Sequence, residues 1–272
     1  MKKFFKLFIS FVLAFTFFGC ASKPMDDAAF LENLEKGLSD RWLYADSTLN
    51  NVDIYDVKEY KNGLKEVIQK ELSAIGDLSA YTFKDKDLEK LAKEYYDALN
   101  LTKEGIQYYS PEEVFVSFYI DDSKFANTYH LGMYQRCIIL DKLVNEYDFM
   151  KDNPKKSTLD EVLVDLDDAK KFIAKHDYEI YLKDNVKLVY DEGQSDEYSS
   201  YYSTVIENNT DVEFSSVNIT ADALDKDGVI VEQMWGSTQN FKPGSKAKLE
   251  FWISTEKKFD SIEVSDFDIY IE

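Results

Sequence analysis

The segment Val217-Asn218-Ile219-Thr220-Ala221-Asp222-Ala223 decides the fold of the C-terminal part of the chain. Its apolar and polar residues alternate one by one, and a period of two is typical of a β-strand with one buried face. The same alternation recurs at Tyr198, Ser200, Tyr202, Thr204 and Ile206, at Leu249, Phe251 and Ile253, and at Phe267, Ile269 and Ile271. Residues 178–182 and 186–190 are also predicted to be short strands. Six to eight such strands with polar turns predict an antiparallel β-sandwich over residues 177–272.

Upstream of this region, over residues 28–176, the apolar residues recur at helical spacing. One such stripe consists of Leu64, Val67, Ile68, Leu72 and Ile75, which fall on a single face of an α-helix. Ser110-Pro111-Glu112-Glu113 combines an N-cap, a proline at the first helical position and a capping-box glutamate. These patterns predict five or six helices in a bundle. The predicted fold class is therefore α+β, with a helical domain followed by a sandwich domain.

Three turn segments of the C-terminal region carry a family resemblance. They are Glu207-Asn208-Asn209-Thr210, Asp225-Lys226-Asp227-Gly228 after the strand at 217–224, and Lys242-Pro243-Gly244-Ser245. Together with that strand they resemble the FxLYD family, small immunoglobulin-like (Ig-like) domains common in lipoproteins of Gram-positive bacteria. Ala221, Ala223 and Leu224 stand where the motif has Phe, Leu and Tyr. The resemblance implies an Ig-like fold for about a third of the chain and brings no established activity with it.

The first nineteen residues have the pattern of a secretory signal peptide. Three lysines in Met1-Lys2-Lys3-Phe4-Phe5-Lys6 precede an apolar run from Leu7 to Phe18, and Gly19 follows. A membrane-spanning helix needs about 20 apolar residues, so this run is too short to span a bilayer. The sequence therefore predicts export, with residues 1–19 removed.

The end of this segment, Phe17-Phe18-Gly19-Cys20, resembles the lipobox of bacterial lipoproteins. The resemblance implies cleavage after Gly19, a diacylglycerol and an N-linked acyl chain such as palmitate on Cys20, and a tether over residues 20–27. The expected location is the extracytoplasmic face of the cell membrane. An ordinary signal peptide that is cut nearby is the alternative. A formal charge of −20 disfavours both anionic lipid and nucleic acid as partners, so a covalent anchor is consistent with the composition.

Residues typical of catalysis or metal binding are scarce. The chain has two histidines, His130 and His176, and no HExxH, GxSxG or phosphate-loop motif. Ser254 and Lys257 have the spacing of serine acyl-enzymes, but the serine is predicted to end a strand. Asp225–Gly228 is predicted to form a hairpin turn rather than a calcium loop, and Cys137 to be a small buried apolar residue. We therefore predict no enzyme activity, no metal and no cofactor.

Aromatic residues make up 15% of the chain and supply the candidate binding residues. Tyr198, Tyr201 and Tyr202 are candidates for stacking on cell-wall sugars or for anchoring a protein partner. The leading hypothesis is a non-enzymatic binding module for a protein or a cell-envelope component. The alternative is capture of a glycan, peptide or lipid in an aromatic-lined groove of the helical domain. A hydrolase that uses an unfamiliar pair of carboxylates is the third class.

Overall fold

A computed structural model describes residues 25–113 and 123–271. The fold is α+β, with helices in the N-terminal part and two antiparallel three-stranded sheets in the C-terminal part. Within the described residues the α-helices are α1 (Asp27–Ser47), α2 (Val57–Ile75), α3 (Lys86–Gly105), α4 (Leu131–Tyr147), α5 (Lys156–Val162) and α6 (Leu166–Asn185). The strands are β1 (Val189–Tyr190), β2 (Ser199–Glu207), β3 (Phe214–Leu224), β4 (Ile230–Phe241), β5 (Lys246–Ser254) and β6 (Ser261–Tyr270).

Side-chain caps explain where the first helices begin. Asp26, Asp56 and Asp85 precede α1, α2 and α3, and each carboxylate accepts a backbone N–H of the first turn. The predicted apolar stripe of α2 is confirmed, because Leu64, Val67, Ile68, Leu72 and Ile75 are all buried. The predicted N-cap at Ser110 is also confirmed: residues 111–113 are helical, and the Glu113 amide donates to Ser110 Oγ at 3.1 Å.

A buried ion pair joins α1 to α2. Arg41 Nη1 lies 3.2 Å from Glu71 Oε2, and Glu71 has no exposed surface. The Tyr95 hydroxyl of α3 donates to the same Glu71 oxygen at 3.3 Å. A buried carboxylate is tolerated only when charge and hydrogen bonds compensate for its lost hydration, so these contacts hold the three helices in one arrangement.

The prediction of a strand at residues 178–182 was wrong, because these residues belong to α6. Tyr178 and Leu182 are both fully buried and lie one helical turn apart. Their i, i+4 spacing places both side chains on the face of α6 that contributes to the core. The Tyr178 ring stacks on Phe214, with 4.7 Å between ring centroids. Burial raises the pKa of its hydroxyl, and that hydroxyl has no hydrogen-bond partner among the described residues. The aromatic contact outweighed the local β-propensity of the Tyr and Ile residues.

The strands form two separate sheets, with the orders β1-β2-β5 and β4-β3-β6, and every neighbouring pair is antiparallel. The alternation predicted for β3 is confirmed, since Val217, Ile219, Ala221 and Ala223 have no exposed surface. The inward positions predicted for β5, at Leu249, Phe251 and Ile253, are buried in the same way.

One apolar cluster includes residues from both sheets. Phe251 of β5 and Ile219 of β3 belong to it, and so do Tyr178 and Leu182 of α6. The close approach of β4 to β5 depends on Gly236, because a Cβ atom there would lie 2.6 Å from the Phe251 ring. The two sheets and the last helix therefore share a core.

Asn208, the first residue after β2, connects three segments of backbone. Its side-chain NH₂ donates to the carbonyls of Val212 and Phe241, at 2.9 and 2.8 Å. Its side-chain oxygen accepts from the Thr210 amide and hydroxyl. Asn208 is fully buried, so an amide whose two hydrogens and two lone pairs are all used fixes the turn between β2 and β3 against the end of β4.

The chain divides into two compact units, Met1–Phe125 and Ala126–Glu272. This division differs from the domains predicted over 28–176 and 177–272. The reason is that α6 contributes Tyr178 and Leu182 to the core of the sheets, and α4 packs on α6. The last helices therefore group with the strands that follow them.

Candidate functional site

The predicted lipidation and cleavage residues, Cys20 and Gly19, lie outside the described residues. Most of the predicted tether, residues 20–27, lies outside as well; within it, Asp26 is the N-cap of α1.

The structure distributes the three candidate tyrosines over different surroundings. Tyr198 lies just before β2 and is 71% exposed. Tyr202 faces inward, packs beside the core and meets Tyr190 edge-on at 5.5 Å. Tyr201 points to the opposite side of β2, directly across from Trp252 of β5. Only Tyr201 therefore faces outward from the sheet as a binding aromatic on a strand would.

Trp252 was missed in the sequence analysis, although the alternation of β5 contains the signal. Its neighbours Phe251 and Ile253 have no exposed surface, whereas Trp252 is 58% exposed. An aromatic residue on the outward face of a strand is not explained by the core. We define the "Tyr201–Trp252 face" as the outward side of the β1-β2-β5 sheet. Its residues are Val189, Tyr201, Ser203, Val205, Lys248, Glu250 and Trp252.

A charged network lies on this face and involves two of its residues, Lys248 and Glu250. Lys248 Nζ lies 3.1 Å from Glu250 Oε1 and 3.2 Å from Asp191 Oδ2, and Gln194 donates to Glu250 at 2.8 Å. The hydrogen bonds that Lys248 donates to Glu250 and Asp191 raise the pKa of Lys248. The bond from Lys248 lowers the pKa of Asp191, and the bonds from Gln194 and Lys248 lower the pKa of Glu250. All three groups therefore stay charged at neutral pH and lie among the exposed apolar residues of the face.

Two sequence motifs have structural roles. The hairpin predicted at Asp225–Gly228 is confirmed: Asp225 Oδ1 accepts the amides of Asp227 and Val229, both at 2.9 Å, and Gly228 adopts a φ of 78°. Ser254 ends β5 as predicted, and its hydroxyl accepts the Glu256 amide at 3.3 Å. The Asp225 carboxylate and the Ser254 hydroxyl thus stabilise turns.

Cys137 and His176 are also placed in helices. Cys137 is buried on α4, and its thiol faces the Val162 carbonyl at 3.5 Å. Burial raises the pKa of this thiol, so it stays protonated at neutral pH. His176 was predicted at a helix-to-strand transition, but it lies within α6, where Nδ1 is 3.4 Å from Asp177 Oδ1.

Each unit contains cavities at its surface. In the first unit, a cavity of about 360 Å³ has a mixed lining from α2, α3 and residues 76–78: Gln69, Leu72, Gly76, Asp77, Leu78, Tyr96, Asn100 and Lys103. In the second unit, a cavity of about 640 Å³ lies between α4, α6 and residues 209–211. A further cavity of about 620 Å³ lies beside Tyr202 and the start of β6.

Within residues 25–113 and 123–271, no helix is long and apolar enough to cross a bilayer. The same residues contain no group of three or more His, Cys, Asp or Glu side chains placed to hold a metal ion.

No family model, curated protein or solved structure matches this chain.

Proposed function

We propose that the chain is a bacterial lipoprotein, held by lipid on Cys20 at the extracytoplasmic face of the cell membrane. There it binds a protein or a cell-envelope component without catalysis. Residues 1–19 serve as the signal peptide and residues 20–27 as the tether. The C-terminal strands form an Ig-like β-sandwich of the FxLYD type. The shared core of the two three-stranded sheets supports the sandwich.

The observation that carries the binding role is the Tyr201–Trp252 face. Val205 and Val189 are 65% and 64% exposed on the same side as Trp252, although a soluble sheet normally presents polar side chains there. Exposed aromatic and aliphatic side chains on the outward face of a sheet are typical of interaction sites. A tryptophan and a tyrosine on paired strands are held rigidly, so they lose little entropy when a partner binds.

Removal of the thiol of Cys20 tests the anchor. We expect Cys20→Ala to retain its leader and to lack the mass of the acyl groups, because the lipid has no attachment atom. Cys137→Ala is the matched control, since Cys137 is buried on α4, and should keep both the lipid and the membrane association. Mass spectrometry of the N-terminal peptide and cell fractionation give the readout. Absence of both leader removal and acyl mass in the unsubstituted chain, as in Cys20→Ala, would contradict the anchor.

Removal of the Trp252 ring tests the binding face. Loss of an aromatic side chain at the centre of an interface costs about 2 kcal/mol or more, so we expect Trp252→Ala to weaken binding by about thirtyfold or more. Binding would be measured by cosedimentation of the full chain with purified cell-wall sacculi and by photocrosslinking from position 205 in intact cells.

Trp235→Ala is the matched control for this experiment. Trp235 is 67% exposed and lies on β4 of the other sheet. We expect its loss to leave sedimentation and crosslinking unchanged. Thermal denaturation of both variants should match that of the parent, because neither ring is buried. Equal binding by the Trp252 and Trp235 variants would remove the Tyr201–Trp252 face from the proposal.

A further inference from the structure

The cavity beside the start of β6 lies entirely within the second unit. Three parts of the chain line it: the continuous run Phe259–Val264, which leads into β6, the end of α6 with the segment that follows it, and Tyr202 of β2. The volume of about 620 Å³ falls in the range of ligand sites in proteins.

The apolar lining of this cavity is a part of the core that the fold leaves incompletely covered. Six lining side chains are only partly buried and pack against the shared core: Val186, Leu188, Tyr202, Phe259, Ile262 and Val264. Partly buried aliphatic and aromatic surface gains free energy when a ligand displaces water from it. We call these six residues the apolar floor of the groove.

The wall formed by β6 is the free edge of a sheet. Among the described residues, β6 pairs with β3 alone, on one side. A strand that is paired on one side presents alternate N–H and C=O groups on the other. The groove therefore combines backbone hydrogen-bonding groups with an apolar floor, and these are the two requirements for adding a strand to a sheet.

We propose that this groove binds an extended peptide segment of a partner protein, which adds to the free edge of β6. Alternate side chains of the peptide point down to the apolar floor, because side chains alternate between the two faces of a strand. The groove runs along residues 260–264, so the recognised segment is short, with a length of about 13–17 Å at the rise of a strand. The proposal is independent of the lipid anchor and of the Tyr201–Trp252 face.

The charges around the groove indicate the sequence of the peptide. Asp260 and Glu263 are exposed on the β6 wall, and opposite charges on paired strands stabilise each other. Lysine or arginine is therefore favoured between the apolar positions. Lys183 and Lys187 also line the groove and favour a carboxylate beside them. An anionic amphiphile fits less well, because the acidic wall would repel its head group and the strand edge would stay unpaired.

Fluorescence anisotropy with the full chain tests the proposal. The probe is a labelled, end-blocked peptide of alternating valine and lysine, and a second probe has the same sequence with N-methylated amides. We expect the first peptide to bind. The methylated peptide should bind at least about tenfold more weakly, because its methylated amides cannot donate hydrogen bonds to β6. Equal binding of the two peptides would overturn strand addition, and so would failure of the first peptide to bind.

Two variants locate the site. We expect Leu188→Glu to weaken the peptide by about tenfold or more, because it replaces part of the apolar floor by a charge. Val229→Glu changes an apolar residue that is 59% exposed on the β3–β4 turn, and it should bind the peptide as the parent does. Circular dichroism confirms that both variants fold, and Ile262→Thr replaces Leu188→Glu if that variant does not. Unchanged binding by the floor variant, or displacement of the peptide by laurate with no effect of N-methylation, would refute the proposal.

Discussion

Replacement of Asn208 by alanine is expected to lower the free energy of unfolding of the second unit by about 3 kcal/mol or more. The variant loses both side-chain donors and both acceptors at once. The carbonyls of Val212 and Phe241 then lose the hydrogen bonds that they receive from Asn208, at 2.9 and 2.8 Å. The Val212 carbonyl keeps the Thr210 hydroxyl as a donor at 3.2 Å, so the main loss is at the buried Phe241 carbonyl. A buried carbonyl that loses its donor costs about 1–3 kcal/mol, which is more than a hydrogen bond gains on average.

The measurement is urea denaturation followed by circular dichroism. The matched control is Asn209→Ala, which removes the same side chain from the next position, where it is exposed; its effect should stay within about 0.5 kcal/mol. Asn208→Asp keeps the acceptor oxygen but buries a carboxylate against two carbonyl oxygens, so it should destabilise the unit at least as much as the alanine variant. Equal midpoints for the two alanine variants would show that the buried amide is not what holds the β2–β3 turn.

Removal of the Glu71 carboxylate is expected to destabilise the first unit by about 3–5 kcal/mol, the usual cost of breaking a buried ion pair from one side. Glu71→Ala leaves the Arg41 guanidinium, which is only 8% exposed, without the carboxylate 3.2 Å away. It also takes an acceptor from the Tyr95 hydroxyl. A double variant, Arg41→Met with Glu71→Leu, should recover much of this loss, because it buries no charge.

Tryptophan fluorescence gives a readout of this unit. Trp42 is buried on α1 next to Arg41 in sequence, whereas Trp235 and Trp252 are exposed, so the red shift on unfolding comes mainly from Trp42. Glu94→Ala is the control: its ion pair with Lys90 on α3 is exposed, and surface pairs contribute about 0–1 kcal/mol. A Glu71 variant no less stable than the Glu94 variant would contradict a structural role for the buried pair.

The strands that were predicted correctly are those whose period is visible locally. In β3, alternation of apolar with polar side chains identifies the strand and its inward face, and every inward residue is buried. Residues 178–182 show where this reasoning fails, because a short run of Tyr, Ile and Leu fits both periods. Stacking of Tyr178 on Phe214, which lies far along the chain, stabilises the helical conformation of this run.

The candidate site shows the same limit. The high content of aromatic residues made Tyr198, Tyr201 and Tyr202 candidates for binding. No local pattern distinguishes a tyrosine that packs on the core from one that faces water. The register of β2 with β5 does so, because it places Trp252 across from Tyr201. The groove along β6 had no signal in the sequence at all, since its walls come from segments about 75 residues apart.

The amino-acid sequence by itself determined the apolar stripe of α2, the strands β3 and β5 with their inward faces, the N-cap at Ser110 and the Asp-Gly hairpin turn. Each of these follows from interactions within a few residues, which a local pattern records. Only the tertiary structure decided that α6 joins the sheets, that Asn208 ties three segments together, and which side of β2 remains open. These features depend on contacts between distant segments, and burial in a shared core selects among local conformations of similar energy.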